Sequence, residues 1–179
     1  MNIRDATDTD SALIVMPVSE LNKDVAEKFG LNRKNCPKHP SFCTKDWVKA
    51  DLARGVHYYI LEENTEPVAC VAYEIPSPGL AYLNRLLVLP AYRRCGFGAR
   101  LVRHIIQLAQ TDAIRTISIG VIGEHADLLR WYLKLGFRSG ETKHFAHLPF
   151  SVTYMSYAVK SDRQRDLEVS NNTNSPYPK

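Results

Sequence analysis

Between Tyr82 and Leu108 the chain reads YLNRLLVLPAYRRCGFGARLVRHIIQL, and its residue types bear directly on chemistry. Leu86-Leu87-Val88 is an apolar run, closed by Pro90, which lacks the N–H that a strand ladder needs. Arg93-Arg94-Cys95-Gly96-Phe97-Gly98-Ala99 is a basic turn containing two glycines. Leu101, Val102, Ile105, Ile106, Leu108 and Ala109 then recur at helix spacing. A strand, a glycine turn and a helix start together hold a pyrophosphate well. Glycines let the backbone approach the phosphates, free N–H groups donate, and the helix N-terminus adds positive potential.

Two other phosphate loops are excluded. No Lys-Ser or Lys-Thr follows, as the GxxxxGK[ST] loop requires, and Leu101 stands where GxGxxG needs its third glycine. What matches is Arg-x-x-Gly-x-Gly after a strand ending in Val-x-Pro. This resembles the acyl-CoA-binding motif of the GNAT superfamily of N-acetyltransferases. Downstream, Trp131-Tyr132-Leu133-Lys134-Leu135-Gly136-Phe137 is similar to that superfamily's second signature, an aromatic-Tyr-x-x-x-Gly-Phe helix end. The order and separation of the two also agree. The bland alternative is a glycine turn joining an ordinary strand to an ordinary helix.

The resemblance implies acetyl-CoA as co-substrate and assigns roles to individual residues. The backbone of Leu86, Leu87 and Val88 would pair with the pantetheine arm like an added strand. The N–H groups of Arg93, Arg94, Cys95, Gly96, Phe97, Gly98 and Ala99 would wrap the pyrophosphate, with Arg93 and Arg94 adding charge-assisted contacts. Tyr132 matches the tyrosine that protonates the leaving thiolate as general acid, where periodicity alone would make it a core aromatic. Trp131 is read as packing. Two positions depart from the pattern. His125 stands where many members carry an asparagine contacting the CoA arm, and Asn84 stands where many carry a glutamate or histidine base. Neither Asn84 nor Tyr82 accepts a proton well near neutral pH, so Asn84 is expected to position a water. Glu74, Glu124 and His125 are the other groups near enough to serve.

A chain of 179 residues suffices for one domain with its own core. A hydrophobic fraction of 45% and a charged fraction of 23% place the chain among globular proteins. The net charge of +4 suits a polyanionic cofactor and, with no basic run, argues against a nucleic-acid partner. No apolar run approaches membrane length and the N-terminus MNIRDATDTD is polar, so a cytoplasmic protein with no membrane partner is expected. Cys36, His39 and Cys43 lie close together, but their spacing is not that of a zinc finger; a loop is the better reading, and no metal is expected.

The elements that must position the site follow in order. Residues 1–6 suggest an edge strand. A helical pattern runs from Asp10 to Phe29, interrupted at Pro17 and stopped at Gly30. Residues 31–43 read as loop, and Thr44 caps a helix over Lys45–Arg54. His57–Glu62 and Val68–Glu74 read as a hairpin with a longer loop through residues 64–67, and residues 76–79 turn into the central strand Ala81–Leu89. A helix to Thr111, a strand over Thr116–Ile122, a helix over Glu124–Leu135, a strand opening at Phe137 and a last strand over Val152–Val159 complete the order. That is an α/β protein with a mixed, mostly antiparallel central sheet and helices on both faces, as the resemblance also implies. Residues 1–160 form the single acyltransferase domain. Residues 161–179 are polar and are read as a disordered tail.

The leading function is transfer of an acetyl group to an amine, on a small molecule or a protein, with a homodimer left open. A non-catalytic acyl-CoA-binding module is the alternative, favoured by the missing base and opposed by Tyr132. A nucleotide-binding switch is disfavoured by the absent phosphate-binding lysine.

Overall fold

The computed structural model describes residues 1–160, apart from Asn22 and Lys38. The expected tail at 161–179 lies outside the described residues. The sheet has seven strands: β1 (Asn2–Asp5), β2 (His57–Glu63), β3 (Glu66–Ser77), β4 (Leu80–Val88), β5 (Thr116–Ile122), β6 (Arg138–His144) and β7 (Ser151–Ala158). Its spatial order is β1-β2-β3-β4-β5-β7-β6. The β4–β5 pair is parallel and the others are antiparallel. The helices are α1 (Ser11–Leu21), α2 (Lys23–Lys28), α3 (Lys45–Ala53), α4 (Phe97–Thr111) and α5 (Ala126–Lys134).

Strand alternation divides the core between the two faces. On one face Tyr59, Leu61, Val71, Tyr73, Ala81, Leu83, Ile117, Ile119 and Val121 meet Leu101, Val102, Ile105, Ile106 and Ala109 of α4, with Tyr132 of α5. On the other, Tyr58, Ile60, Cys70, Ala72 and Leu87 meet Ile14 of α1 and Val48 of α3. Thr44 caps α3 by accepting from the Trp47 N–H at 3.2 Å, as its hydroxyl suggests.

Several expectations shift in detail. Pro17 sits inside α1 rather than dividing the helix. The β2–β3 connection is a tight turn, not a longer loop: Asn64 and Thr65 both take positive φ (50° and 69°), which brings Glu63 opposite Glu66. Pro67 falls within β3, beside a register shift that accommodates its missing donor. Residues 76 and 77 belong to β3 rather than to the turn, because Ser77 still pairs with Leu80. Phe137 precedes β6 and is buried in the α4–α5 core, where it packs on Tyr132.

The sheet is least continuous at its middle. Only Leu80, Ala81 and Tyr82 of β4 pair with β5, opposite Thr116, Ile117 and Ser118. Beyond them the two parallel strands continue unpaired with each other, β4 to Val88 and β5 to Ile122. Within β4 the register against β3 also slips. Cys70 faces Leu87 and Ala72 faces Asn84, so Arg85 and Leu86 share the place opposite Val71. That is a β-bulge, and Arg85 there adopts φ 51°, in the left-handed region.

Candidate active site

The basic turn is built as its glycines suggest. Gly96 is the N-cap of α4 with φ 83°, a conformation that a side chain strains. The first intrahelical bond is from the Arg100 N–H to the Gly96 carbonyl, at 3.0 Å. The N–H groups of Phe97, Gly98 and Ala99 are therefore free of the helix ladder, and the first turn carries no acidic residue. Arg93, Arg94, Cys95 and Gly96 are exposed. Arg93 turns its Nε back to donate to the Val88 carbonyl at 3.3 Å, which ties the turn to the end of β4. The Phe97 side chain is buried and stacks on Tyr92, leaving only its backbone for a ligand. A β-carbon at Gly98 would lie 3.4 Å from the Trp131 ring and 3.5 Å from Val88, in ordinary contact, so the space there is filled but not closed to a methyl. Trp131 thus packs α5 onto the start of α4, as expected of it.

Leu86, Leu87 and Val88 flank the gap between β4 and β5. Leu87 is buried against the α1–α3 face, while Leu86 and Val88 pack toward α4. Their side chains anchor the strand and leave its gap-facing backbone edge unpaired with β5.

Tyr132 is 6% exposed, edge-on to Trp131 at 4.8 Å and to Phe137 at 5.3 Å. Burial pushes its phenol well above the usual tyrosine range, because the phenolate would lose its water. It therefore holds its proton at neutral pH. Asn84 pairs with Ala72, which packs on the α1–α3 face, whereas Tyr132 packs on the α4 face, so the two catalytic expectations stand on opposite faces of the sheet. Asn84 instead belongs to two open cavities. One, about 700 Å³, is lined by Trp47, Asp51, Arg54, Glu74 and Arg85 with Asn84. The other, about 430 Å³, is lined by Tyr82, Ser118, Gly120, Val152 and Tyr154 with Asn84.

The remaining proton acceptors divide clearly. Glu124 is held by the backbone N–H of Ser151 at 3.0 Å and by its hydroxyl, and these bonds keep its carboxyl below the usual range. His125 is the N-cap of α5, its Nδ1 accepting from the Leu128 N–H at 3.4 Å. Glu74 stands apart: it ion-pairs with Arg54, and its Oε2 accepts from the Asn84 carboxamide at 3.4 Å.

Three residues of this region went unread in the sequence: Asp51, Arg54 and Arg85. Asp51 is 3% exposed, yet accepts from the Tyr58 hydroxyl at 2.7 Å, from Arg54 at 2.9 Å and from Arg85. Burial pushes its carboxyl up, against the pull of Arg54. The available signal was Arg85 itself, a cation directly before the apolar run Leu86-Leu87-Val88 of a central strand, which implies a buried counter-charge elsewhere.

Residues 20–137 match the sequence profile of the acetyltransferase (GNAT) family, so this chain belongs to that family. No curated protein matches the sequence on its own. Solved structures share the fold. Streptococcus mutans smu.2055 has a TM-score of 0.71 at 19% identity, covering 89% of this chain and 100% of its own. The Salmonella typhimurium putative acetyltransferase yncA, solved with its cofactor acetyl-CoA, has 0.67 at 19%, covering 90% and 95%. A Brucella melitensis ribosomal-protein-alanine N-acetyltransferase has 0.64 at 16%, covering 88% and 99%. The co-substrate that the family implies, acetyl-CoA, suits the residues present: free N–H groups at the start of α4, no carboxylate in its first turn, and an unpaired strand edge leading to it.

Proposed function

We propose that this protein is an N-acetyltransferase, moving the acetyl group of acetyl-CoA to an amine by direct attack, with Tyr132 as general acid. The observation that carries the reading is the unpaired stretch of β4, bounded at one end by the donor turn of α4 and opening toward Asn84 at the other. The backbone of Leu86–Val88 holds the pantetheine arm, and the N–H groups of residues 93–99 hold the pyrophosphate. The acceptor comes from the opposite face, through the cavities that meet at Asn84.

As the amine nitrogen bonds to the thioester carbon, the carbon–sulfur bond breaks. Tyr132 gives its proton to the departing sulfur, whose thiol has a pKa of about 8.5 in model compounds. Tyr132 is then reprotonated from solvent. The attacking nitrogen must lose its own proton. Asn84 and the exposed Tyr82 line one cavity together and hold a water there, which relays that proton to bulk solvent. Glu74, already engaged by Arg54 and Asn84, orients the carboxamide.

The test is release of free CoA thiol from acetyl-CoA over a panel of polyamines, amino acids and alanine-leading peptides. Turnover with any of them supports the reading. Tight acetyl-CoA binding with no turnover across the panel would instead favour an acyl-CoA-binding module.

A further inference from the structure

The least expected feature of the site is a buried cation on a left-handed strand residue. Arg85 has φ 51° within β4, at the bulge opposite Val71. An arginine gains nothing from that backbone; such conformations persist where the surroundings over-determine them. Its surroundings are specific. The guanidinium lies 4.7 Å from the centre of the Trp47 ring and 5.6 Å from that of Tyr58. It pairs with the Asp51 carboxylate and also donates to the Tyr58 hydroxyl. Asp51 is fixed in turn by Tyr58 at 2.7 Å and by two bonds from Arg54, at 2.9 and 3.1 Å. Trp47, Asp51 and Arg54 stand on one face of α3 or at its end, so the helix grips β4 through one side chain.

What is gripped matters. The bulge, Arg85 and Leu86, lies beyond the last β4–β5 pair, Tyr82 with Ser118, and opens the Leu86–Val88 stretch. It turns the strand and leaves backbone groups without a ladder partner where the two strands part. A strand freed on one side could straighten and slip its register by one residue, turning every following side chain to the other face.

We infer that Asp51 and Arg85 are positioning residues: with Trp47 they lock the β4 bulge, and so set the register in which Leu86–Val88 meets the acyl-CoA arm. This rests on the acetyl-CoA reading above. The network also lines the open cavity beside Asn84, so its effect on the donor strand has to be read with no acceptor present.

Amide hydrogen exchange with and without acetyl-CoA tests this without any acceptor. In the wild-type protein, acetyl-CoA slows exchange in residues 84–88 and in residues 93–99. In Asp51→Asn, exchange in 84–88 is about tenfold faster and acetyl-CoA no longer slows it, while protection of 93–99 is retained. Arg85→Gly gives the same result. Glycine accepts the left-handed backbone without strain, so this variant folds even where Asp51→Asn does not. Protection of 84–88 by acetyl-CoA in both folded variants would overturn the inference. A merely structural role would lower the melting temperature and raise exchange evenly, and would overturn it equally. Protection of neither segment in the wild-type protein would instead refute the acetyl-CoA reading itself.

Discussion

Trp131 lies across Gly98, its ring 3.4 Å from where a β-carbon would sit. The contact decides what can replace that glycine. An alanine methyl makes ordinary van der Waals contact there, so Gly98→Ala should bind acetyl-CoA within a few-fold of the wild-type protein. An aspartate must find room past Trp131 and Val88, and sets a negative charge beside the pyrophosphate. Gly98→Asp should lower the affinity by more than about tenfold, since like charges at such range repel strongly. Calorimetry on folded protein checks both; unchanged affinity in Gly98→Asp would refute the assignment of the loop.

Tyr132→Phe retains the ring that packs on Trp131 and Phe137 and removes the proton. We expect kcat to fall by roughly 10²–10⁴, the usual range for an acid–base group. Acetyl-CoA affinity and melting temperature should barely move. Full turnover in the variant would return Tyr132 to the core.

With water as the relay, kcat/KM should rise with pH toward the acceptor amine's own pKa and follow that pKa when the acceptor is changed. An ammonium with a pKa near 10 is almost wholly unreactive at pH 7, so the fraction of free amine sets the slope. Glu74→Gln, Glu124→Gln and His125→Ala should each leave that profile in place, whatever they do to its height. His125→Ala should also cost stability, because it removes the cap of α5. A fixed inflection near pH 6–7, abolished by one of the three, would identify a dedicated base.

His104 gives a prediction about acid stability. Its Nε2 is buried with no hydrogen-bond partner among the described residues, and the ring packs edge-on to Tyr59 at 4.8 Å. Burial pushes its pKa below the ordinary value, so the unfolded chain takes up the proton first. Stability should therefore fall as pH drops below about 6.5, the ordinary histidine value. His104→Phe keeps a ring against Tyr59 and should flatten the melting-temperature slope between pH 7 and 5. Part of the slope remains, because His39 is lowered in the same sense. Below about pH 4, the ordinary carboxylate range, Asp10 takes over. Its carboxyl is held down to about 2 by Arg4, and that stabilisation is lost as it protonates.

The turn and helix start on which the donor reading rests were legible because they are local. A glycine turn after an apolar strand and before an amphipathic helix is contiguous in the chain, and Gly96 and the free N–H groups of α4 lie where the pattern puts them. The cavity proposed for the acceptor was not legible, for an equally physical reason. It is assembled from α3, the end of β3 and the middle of β4, and the bond between Asp51 and Arg85 spans 34 positions. No local period marks such a pair. His125 shows a second limit: its match to a family position suggests a ligand contact, while its place just before a helix also makes it the cap of α5, a role the match alone does not reveal.

The brevity of the β4–β5 pairing also orders the assembly of the chain. β2, β3 and β4 are joined by tight turns, so their pairings close over short stretches, and β6 and β7 are likewise adjacent in sequence. The seam between the groups spans all of α4 and consists of three residue pairs. Closing that long loop costs chain entropy, and so few pairs recover little of it. The expected sequence of events is two locally formed ladders that dock late. Substitutions at Ala81 and Ile117 should then speed unfolding while leaving the folding rate nearly unchanged, and a marked slowing of folding instead would place the seam in the nucleus. The opening proposed to admit the co-substrate is, in kinetic terms, a joint closed last.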